Sequence, residues 1–240
     1  VPQVAPGEAD VVYFVGCRSS FKRTEIAKST YSVLNKLGIK VAFLNDERCC
    51  GRPLIDMGRE DDAVTLLKHN VEQIKATGAK TVLCSCAECF HNLNIVEKYG
   101  IEKDFEAVHL SQFLAPLLKD KKLALKNDTK IAYHDPCYLG RHQDVYEDPR
   151  DVLESIDNSE LVELPRNRKN AWCCGSGGGV QEGFPEYSQW IASERFEEVK
   201  YAGANLLVTA CPGCKNNMWG VSRANRIDIL DLAELVDSLL

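Results

Sequence analysis

Ala171-Trp172-Cys173-Cys174-Gly175-Ser176-Gly177-Gly178-Gly179 places two adjacent cysteines directly before a run of small residues. A shorter version stands at Arg48-Cys49-Cys50-Gly51-Arg52. Neighbouring Cα atoms lie about 3.8 Å apart, closer than an ordinary disulfide wants, so such a pair rarely bonds to itself. It can instead present two thiolates to neighbouring metal ions. The glycines that follow let backbone come close to whatever the sulfurs hold.

Working outward, each double cysteine belongs to a longer unit. In the first, Asp10–Cys17 reads as a buried strand running into a cysteine, and Thr24–Leu37 has helical apolar spacing that stops at Gly38. Ile39–Leu44 reads as a second strand, leading to Cys49-Cys50-Gly51, and residues 59–76 read as a helix. Lys80–Cys84 is a third strand, delivering Cys84-Ser85-Cys86-Ala87-Glu88-Cys89, with a helix expected over Phe90–Tyr99 and another over His109–Leu118. The pattern then restarts. Lys130–Cys137 matches the first strand and cysteine, and Glu160–Leu164 leads toward Cys173-Cys174-Gly175. Gly203–Cys214 follows Gly78–Cys89 without a gap, and Ile229–Leu240 repeats the closing helix.

The spacings agree closely. Cys17 and Cys49 are separated by 31 residues and Cys137 and Cys173 by 35; Gly51 and Cys86 by 34, Gly175 and Cys211 by 35. This is an internal repeat. Strands alternating with helices predict an α/β fold of two pseudo-symmetric Rossmann-like halves, each a parallel sheet flanked by helices with a CCG motif. The expected organisation is a linker over residues 1–9, a first cysteine-rich domain over 10–119, a linker over 120–129 and a second such domain over 130–240. Each cysteine group follows a strand, so the groups are expected to converge beyond the carboxyl ends of the sheet.

Composition narrows the chemistry. The 240 residues are 45% hydrophobic and 27% charged, ordinary values for a globular protein with a core. A net charge of −6 with interspersed basic residues gives no support for nucleic-acid binding. No apolar run approaches the ~18 residues of a membrane span, and Val1–Glu8 reads as linker with no secretory pattern. Eleven cysteines at strand ends suit metal or redox chemistry in a reducing compartment better than a disulfide framework.

Cys17, Cys49, Cys50, Cys86 and Cys89 form one set; Cys137, Cys173, Cys174, Cys211 and Cys214 form the other. Zinc takes about four ligands, leaving a fifth superfluous. Iron–sulfur clusters are held by thiolates and spread them over several irons, yet the ferredoxin cubane run is absent. A G-x-G-x-x-G dinucleotide fingerprint after a strand is absent too.

The succession of C, CCG and C-x-x-C at these spacings, twice over, resembles the cysteine-rich CCG module of heterodisulfide reductase catalytic subunits (the B/D type) and their relatives. His134-Asp135-Pro136-Cys137-Tyr138-Leu139-Gly140-Arg141 is most similar to the D type. The resemblance covers Val11–Leu240. It implies two noncubane [4Fe–4S] clusters on the ten cysteines named above, and an oxidoreductase subunit working within a complex. It further implies a redox partner carrying ferredoxin-like clusters or flavin, a small disulfide as substrate, and a cytoplasmic setting with membrane association only through a partner. Two other readings stand beside it: a pure electron relay between a flavoprotein and a quinone or other redox subunit, and a zinc-stabilised interaction module.

Single residues carry weaker signals. Cys84 has Thr209 at its counterpart, and reads as a small buried hydrophobe, as a thiol that reaches the cluster, or as a substitute for Cys86. Cys173, Cys174 and the loop around Gly178 mark the expected reaction site; the loop either admits substrate or aims N–H groups at sulfur. His134 reads as a proton donor or as a structural histidine. Arg18 and Arg141 are expected to offset cluster charge, and Trp172 and Trp219 to pack around the clusters.

Overall fold

The computed structural model describes residues 8–240, so most of the linker expected over residues 1–9 lies outside the described residues. Eight strands are present among them: β1 (Val11–Phe14), β2 (Val41–Phe43), β3 (Thr81–Cys84), β4 (Glu106–His109), β5 (Leu123–His134), β6 (Ile156–Val162), β7 (Leu206–Thr209) and β8 (Asp228–Asp231). They form two four-stranded sheets in the same order, β2-β1-β3-β4 and β6-β5-β7-β8, with every pair parallel. Helices cover both faces, which is why β1 and β7 read as unbroken apolar runs and are buried at every position. Each fully buried Leu or Phe in such a layer contributes about 1.5–3 kcal/mol. The α/β fold in two like halves is therefore as expected.

Four elements differ from the sequence reading: β4, β8, β5 and the helix after β3. The spacing predicts closing helices from His109 and from Ile229 and no strand at β4 or β8, so His109 and most of β8 read as helix. Each is a four-residue strand whose last residue, His109 or Asp231, is also the N-cap of the helix that follows. The cap accepts an N–H of the first turn, while Gln112 or Glu234 reaches back to the cap's own N–H. Four residues are too few to show alternation beside a strong helical stripe. The segment expected between the halves contributes to β5, which pairs with β6 at Leu123 and Ala124, bulges, and resumes at Thr129. The polar Lys126-Asn127-Asp128 falls in that irregular stretch. The helix expected over Phe90–Tyr99 is Ala87–Asn94 followed by a 3₁₀ turn, Val96–Tyr99.

The halves are joined by reciprocal packing. Helix Thr24–Lys36 of the first lies against Leu232–Leu239 of the second, and Leu110–Leu118 of the first against Glu147–Glu154 of the second. These are the same two positions in each half, exchanged, so the arrangement is pseudo-twofold. Lys36 Nζ to Asp237 (2.8 Å) and Lys215 Nζ to Glu25 (3.0 Å) span the seam.

Beyond β5, Asp135 is buried and binds the Arg150 guanidinium in a two-point contact (2.8 and 3.0 Å). Its Oδ2 also accepts from the Arg168 N–H (2.9 Å), fixing the loop that leads to Cys173. Without Asp135 the buried Arg150 guanidinium keeps only the partly exposed Glu163 as a carboxylate partner. Asp135→Ala is expected to lower unfolding stability by about 3–5 kcal/mol, read from urea denaturation of the reduced protein.

Candidate metal centres

In each sheet the chain runs one way from the first strand to the second and the other way from the third to the fourth. The crevice at that reversal, beyond the carboxyl ends of the central strands, is where such sheets hold ligands. Cys17 follows β1, Cys49 and Cys50 follow β2, and Cys86 and Cys89 follow β3; Cys137, Cys173, Cys174, Cys211 and Cys214 repeat this after β5, β6 and β7.

All ten thiols lie in one continuous file. Cys17 donates to Cys49 (3.6 Å), and Cys50 donates to Cys49 as well. Cys89 lies beside Cys50 and Cys86, and Cys86 lies beside Cys211 across the seam. From there Cys214 lies beside Cys211 and Cys174, and Cys173 beside Cys174 and Cys137. Hydrogen bonds from Cys17 and Cys50, with the Gly51 N–H (3.5 Å), hold Cys49 down at about 3. Those from Cys137 and Cys174, with the Gly175 N–H (3.3 Å), hold Cys173 at about 2. Bonds from Cys214 and Cys86 likewise hold Cys211 well below the thiol range. The donors Cys17 and Cys137 are pushed up, chiefly by the protons they share. Every cysteine is free of disulfide.

The glycine of each CCG is required by space. Gly51 and Gly175 have φ of +79° and +86°, and a Cβ on either would meet the next long helix (Glu60–Thr77 or Pro185–Tyr201), 3.0 Å from Ala63 or 2.8 Å from the Ser188 carbonyl oxygen. Two asparagines that sequence reasoning missed lock the same turns. Asn92 donates to the Cys50 carbonyl (2.8 Å) and Asn217 to the Cys174 carbonyl (2.7 Å), both fully buried. The signal was present: each stands three residues after its C-x-x-C.

The residue after the first cysteine of each half crosses the seam. Arg18 reaches Gln181 (3.3 Å) beyond the second CCG, beside Glu88, Cys211 and Cys86. Tyr138 donates to Asp56 (2.8 Å) beyond the first, under the Arg52 guanidinium and stacked on His142. Arg18 thus lies where anionic sulfur would concentrate. Arg141 does not: it straps the Lys169 and Ala171 carbonyls (2.7 Å to Ala171) ahead of Cys173. Trp172 stacks on Arg166 (3.9 Å) next to the double cysteine, whereas Trp219 is 41% exposed on the surface between Arg23 and Arg223. Cys84 is fully buried in β3, paired in register with Phe14 and His109, and outside the file of ten thiols.

The two ends of the file differ. Glu47 accepts the Val15 and Gly16 N–H groups (2.8 and 2.7 Å), with burial pushing its carboxyl up to about 7; the second half has Ala171 and Pro136 at those places. Cys173 is the one exposed thiol of the ten. Gly178, five residues further on, is exposed, and a Cβ there meets nothing within 4 Å. His134 is buried at the end of β5 within 4.8 Å of the Cys174 and Cys214 sulfurs.

A protein-family profile described as a cysteine-rich domain, CCG, matches residues 11–94 and again 131–219, and the chain belongs to that family. It is 41% identical over 243 residues to the D subunit of dihydromethanophenazine:CoB–CoM heterodisulfide reductase from Methanosarcina barkeri, with 97% of this chain and 59% of that protein covered. It is 31% identical to the B subunit of fumarate reductase (CoM/CoB) from Methanothermobacter marburgensis, covering 92% of this chain and 46% of that one. The chain therefore spans about half the length of these relatives. Among solved structures, a hypothetical protein from Helicobacter pylori shares the fold, with a TM-score of 0.75, 15% identity and coverage of 99% of this chain and 50% of that one.

Gly38 also has positive φ (+77°), yet a Cβ there meets nothing within 4 Å. Gly175→Ala is accordingly expected to cost about 1–3 kcal/mol more than Gly38→Ala, since only the former also overpacks. Urea denaturation of the reduced, metal-free chain measures both.

Proposed function

We propose that this chain is an iron–sulfur oxidoreductase subunit or domain of the heterodisulfide reductase type, holding two noncubane [4Fe–4S] clusters. Cys17, Cys49, Cys50, Cys86 and Cys89 hold the first, and Cys137, Cys173, Cys174, Cys211 and Cys214 the second. The thiol chemistry fits: soft sulfur donors, five per half, several already held as thiolates, and none in a disulfide. When bound, each cluster supplies a one-electron step.

The observation that carries the reading is the Cys86–Cys211 contact, which sets the two five-thiol groups side by side. Reductive cleavage of a disulfide breaks one S–S bond, takes two electrons and two protons and yields two thiols, so a pair of adjacent one-electron centres suits it. The chain's own residues then have definable tasks. The open space at Gly178 and the exposed Cys173 admit the disulfide, and solvent reaching that face supplies protons. Arg18 offsets negative charge where the groups meet. Electrons enter from a redox partner carrying ferredoxin-like clusters or flavin. None of the described helices is long and apolar enough to cross a membrane.

Protein purified without oxygen is expected to contain about eight irons and eight acid-labile sulfides per chain. Cys50→Ala and Cys174→Ala should each lose about half of both, and Cys84→Ala almost none. Stoichiometric zinc without sulfide would overturn the assignment, and loss of a cluster from Cys84→Ala would overturn the first ligand set.

With reduced viologen as donor, the loaded protein is expected to reduce the CoB–CoM heterodisulfide. Gly178→Asn, which tolerates positive φ, should lose most turnover while keeping its iron. A loaded protein that leaves disulfides untouched yet passes electrons to a quinone acts as a relay.

A further inference from the structure

His134 occupies the place that Phe14 holds in the first half, three residues before the leading cysteine. Its ring is 1% exposed, and Nδ1 lies 3.1 Å from Nε of Arg195, itself fully buried. That guanidinium also donates to the Arg166 carbonyl (2.7 Å) and to the Glu198 carboxylate. A guanidinium has only donors, so Nδ1 must offer its lone pair and the ring's single proton must sit on Nε2. Nε2 is buried and meets no acceptor in the protein, although the ring lies within 4.8 Å of the Cys174 and Cys214 sulfurs. A buried N–H without an acceptor is rare and costly, which points to a group that is bound there.

From this geometry we infer that His134 Nε2–H donates a hydrogen bond to sulfur of the second centre, is not a ligand to it, and raises its reduction potential above that of the first. The inference rests on the cluster reading above. Ligation is ruled out by the tautomer, because Nδ1 spends its lone pair on Arg195 and Nε2 carries the proton. Hydrogen bonds to cluster sulfurs favour the reduced, more negative state. In the first half Phe14 has no donor, and Asn70, at the counterpart of Arg195, bonds backbone around Cys49 instead. Electrons would therefore collect at the second centre, beside the exposed Cys173. His134 is a positioning residue for charge, held neutral because Arg195 occupies Nδ1.

The test is a redox titration followed by electron-paramagnetic resonance, with the two signals assigned from Cys50→Ala and Cys174→Ala. His134→Phe is expected to lower the second centre's potential by a tenfold or larger change in its reduction equilibrium, about 59 mV for one electron. The first centre should stay unchanged, and His134→Gln, which keeps an N–H, should recover most of the shift. An unshifted second potential in His134→Phe overturns the inference. Loss of the second cluster from both variants also overturns it, because that outcome means ligation; loss from His134→Phe alone supports it. Nitrogen-15 spectra of the unmodified protein should show the proton on Nε2, and a proton on Nδ1 overturns the inference without touching the cluster assignment. Absence of iron and sulfide from fresh protein overturns the cluster reading itself.

Discussion

The contact between Cys86 and Cys211 is the constraint on which the remaining structure turns. Two sulfurs from different sheets can meet only if both central strands end at one plane with their carboxyl ends facing. That requirement explains the reciprocal helix packing, since exchanging the same pair of helices is how two like halves bring like ends together. It also explains why so much polar chemistry is buried at the seam. His109 at the end of β4 bonds the Ala210 carbonyl of the other half (3.1 Å), immediately before Cys211. Lys215, one residue beyond Cys214, is 3% exposed and held by Glu25 of the first half and Glu234 of the second.

Packing ten thiols into one file would normally be unfavourable, because burial opposes thiolate formation. The fold answers with shared protons: within the file, each strongly depressed thiol has two cysteine neighbours donating to it. Backbone N–H groups of Gly51 and Gly175, 3.5 and 3.3 Å from the Cys49 and Cys173 sulfurs, add to this. Metal uptake displaces such protons, so the apo arrangement is poised toward thiolate without requiring ten buried charges.

Much of this was legible in the sequence because duplication reads like an alignment of the chain with itself. The order of cysteines, the glycine after each pair and the strand preceding each group all repeat, and all have structural counterparts. What escaped was of two kinds. β4 and β8 are four residues long and merge into helical periodicity, although the His109–Gln112 and Asp231–Glu234 capping boxes marked the boundary. The cross-seam pairs Arg18–Gln181 and Tyr138–Asp56 join residues more than eighty positions apart in the chain, and no local pattern announces them. Asn92 and Asn217 lay between these cases, visible at a shared offset but chemically mute until their carbonyl partners were placed.

The repeat also shows why both halves are in one chain. A twofold homodimer of single modules would use one patch twice and make both sites identical. Fusion keeps the reciprocal packing while releasing each site to change alone. The first half closes its site with Arg52-Pro53 behind the CCG and an Asp56 pinned by Arg52 (2.6 Å), and sets Phe14 at the strand end. The second half has Ser176 and three glycines there, an exposed Cys173, and a histidine whose proton is fixed by a buried arginine. Under the proposed reaction, a disulfide approaching from one open side would meet two unlike centres. The departures from symmetry cluster around that side, while the symmetric residues Asn92 and Asn217, Gly51 and Gly175, and the ten cysteines hold the frame common to both.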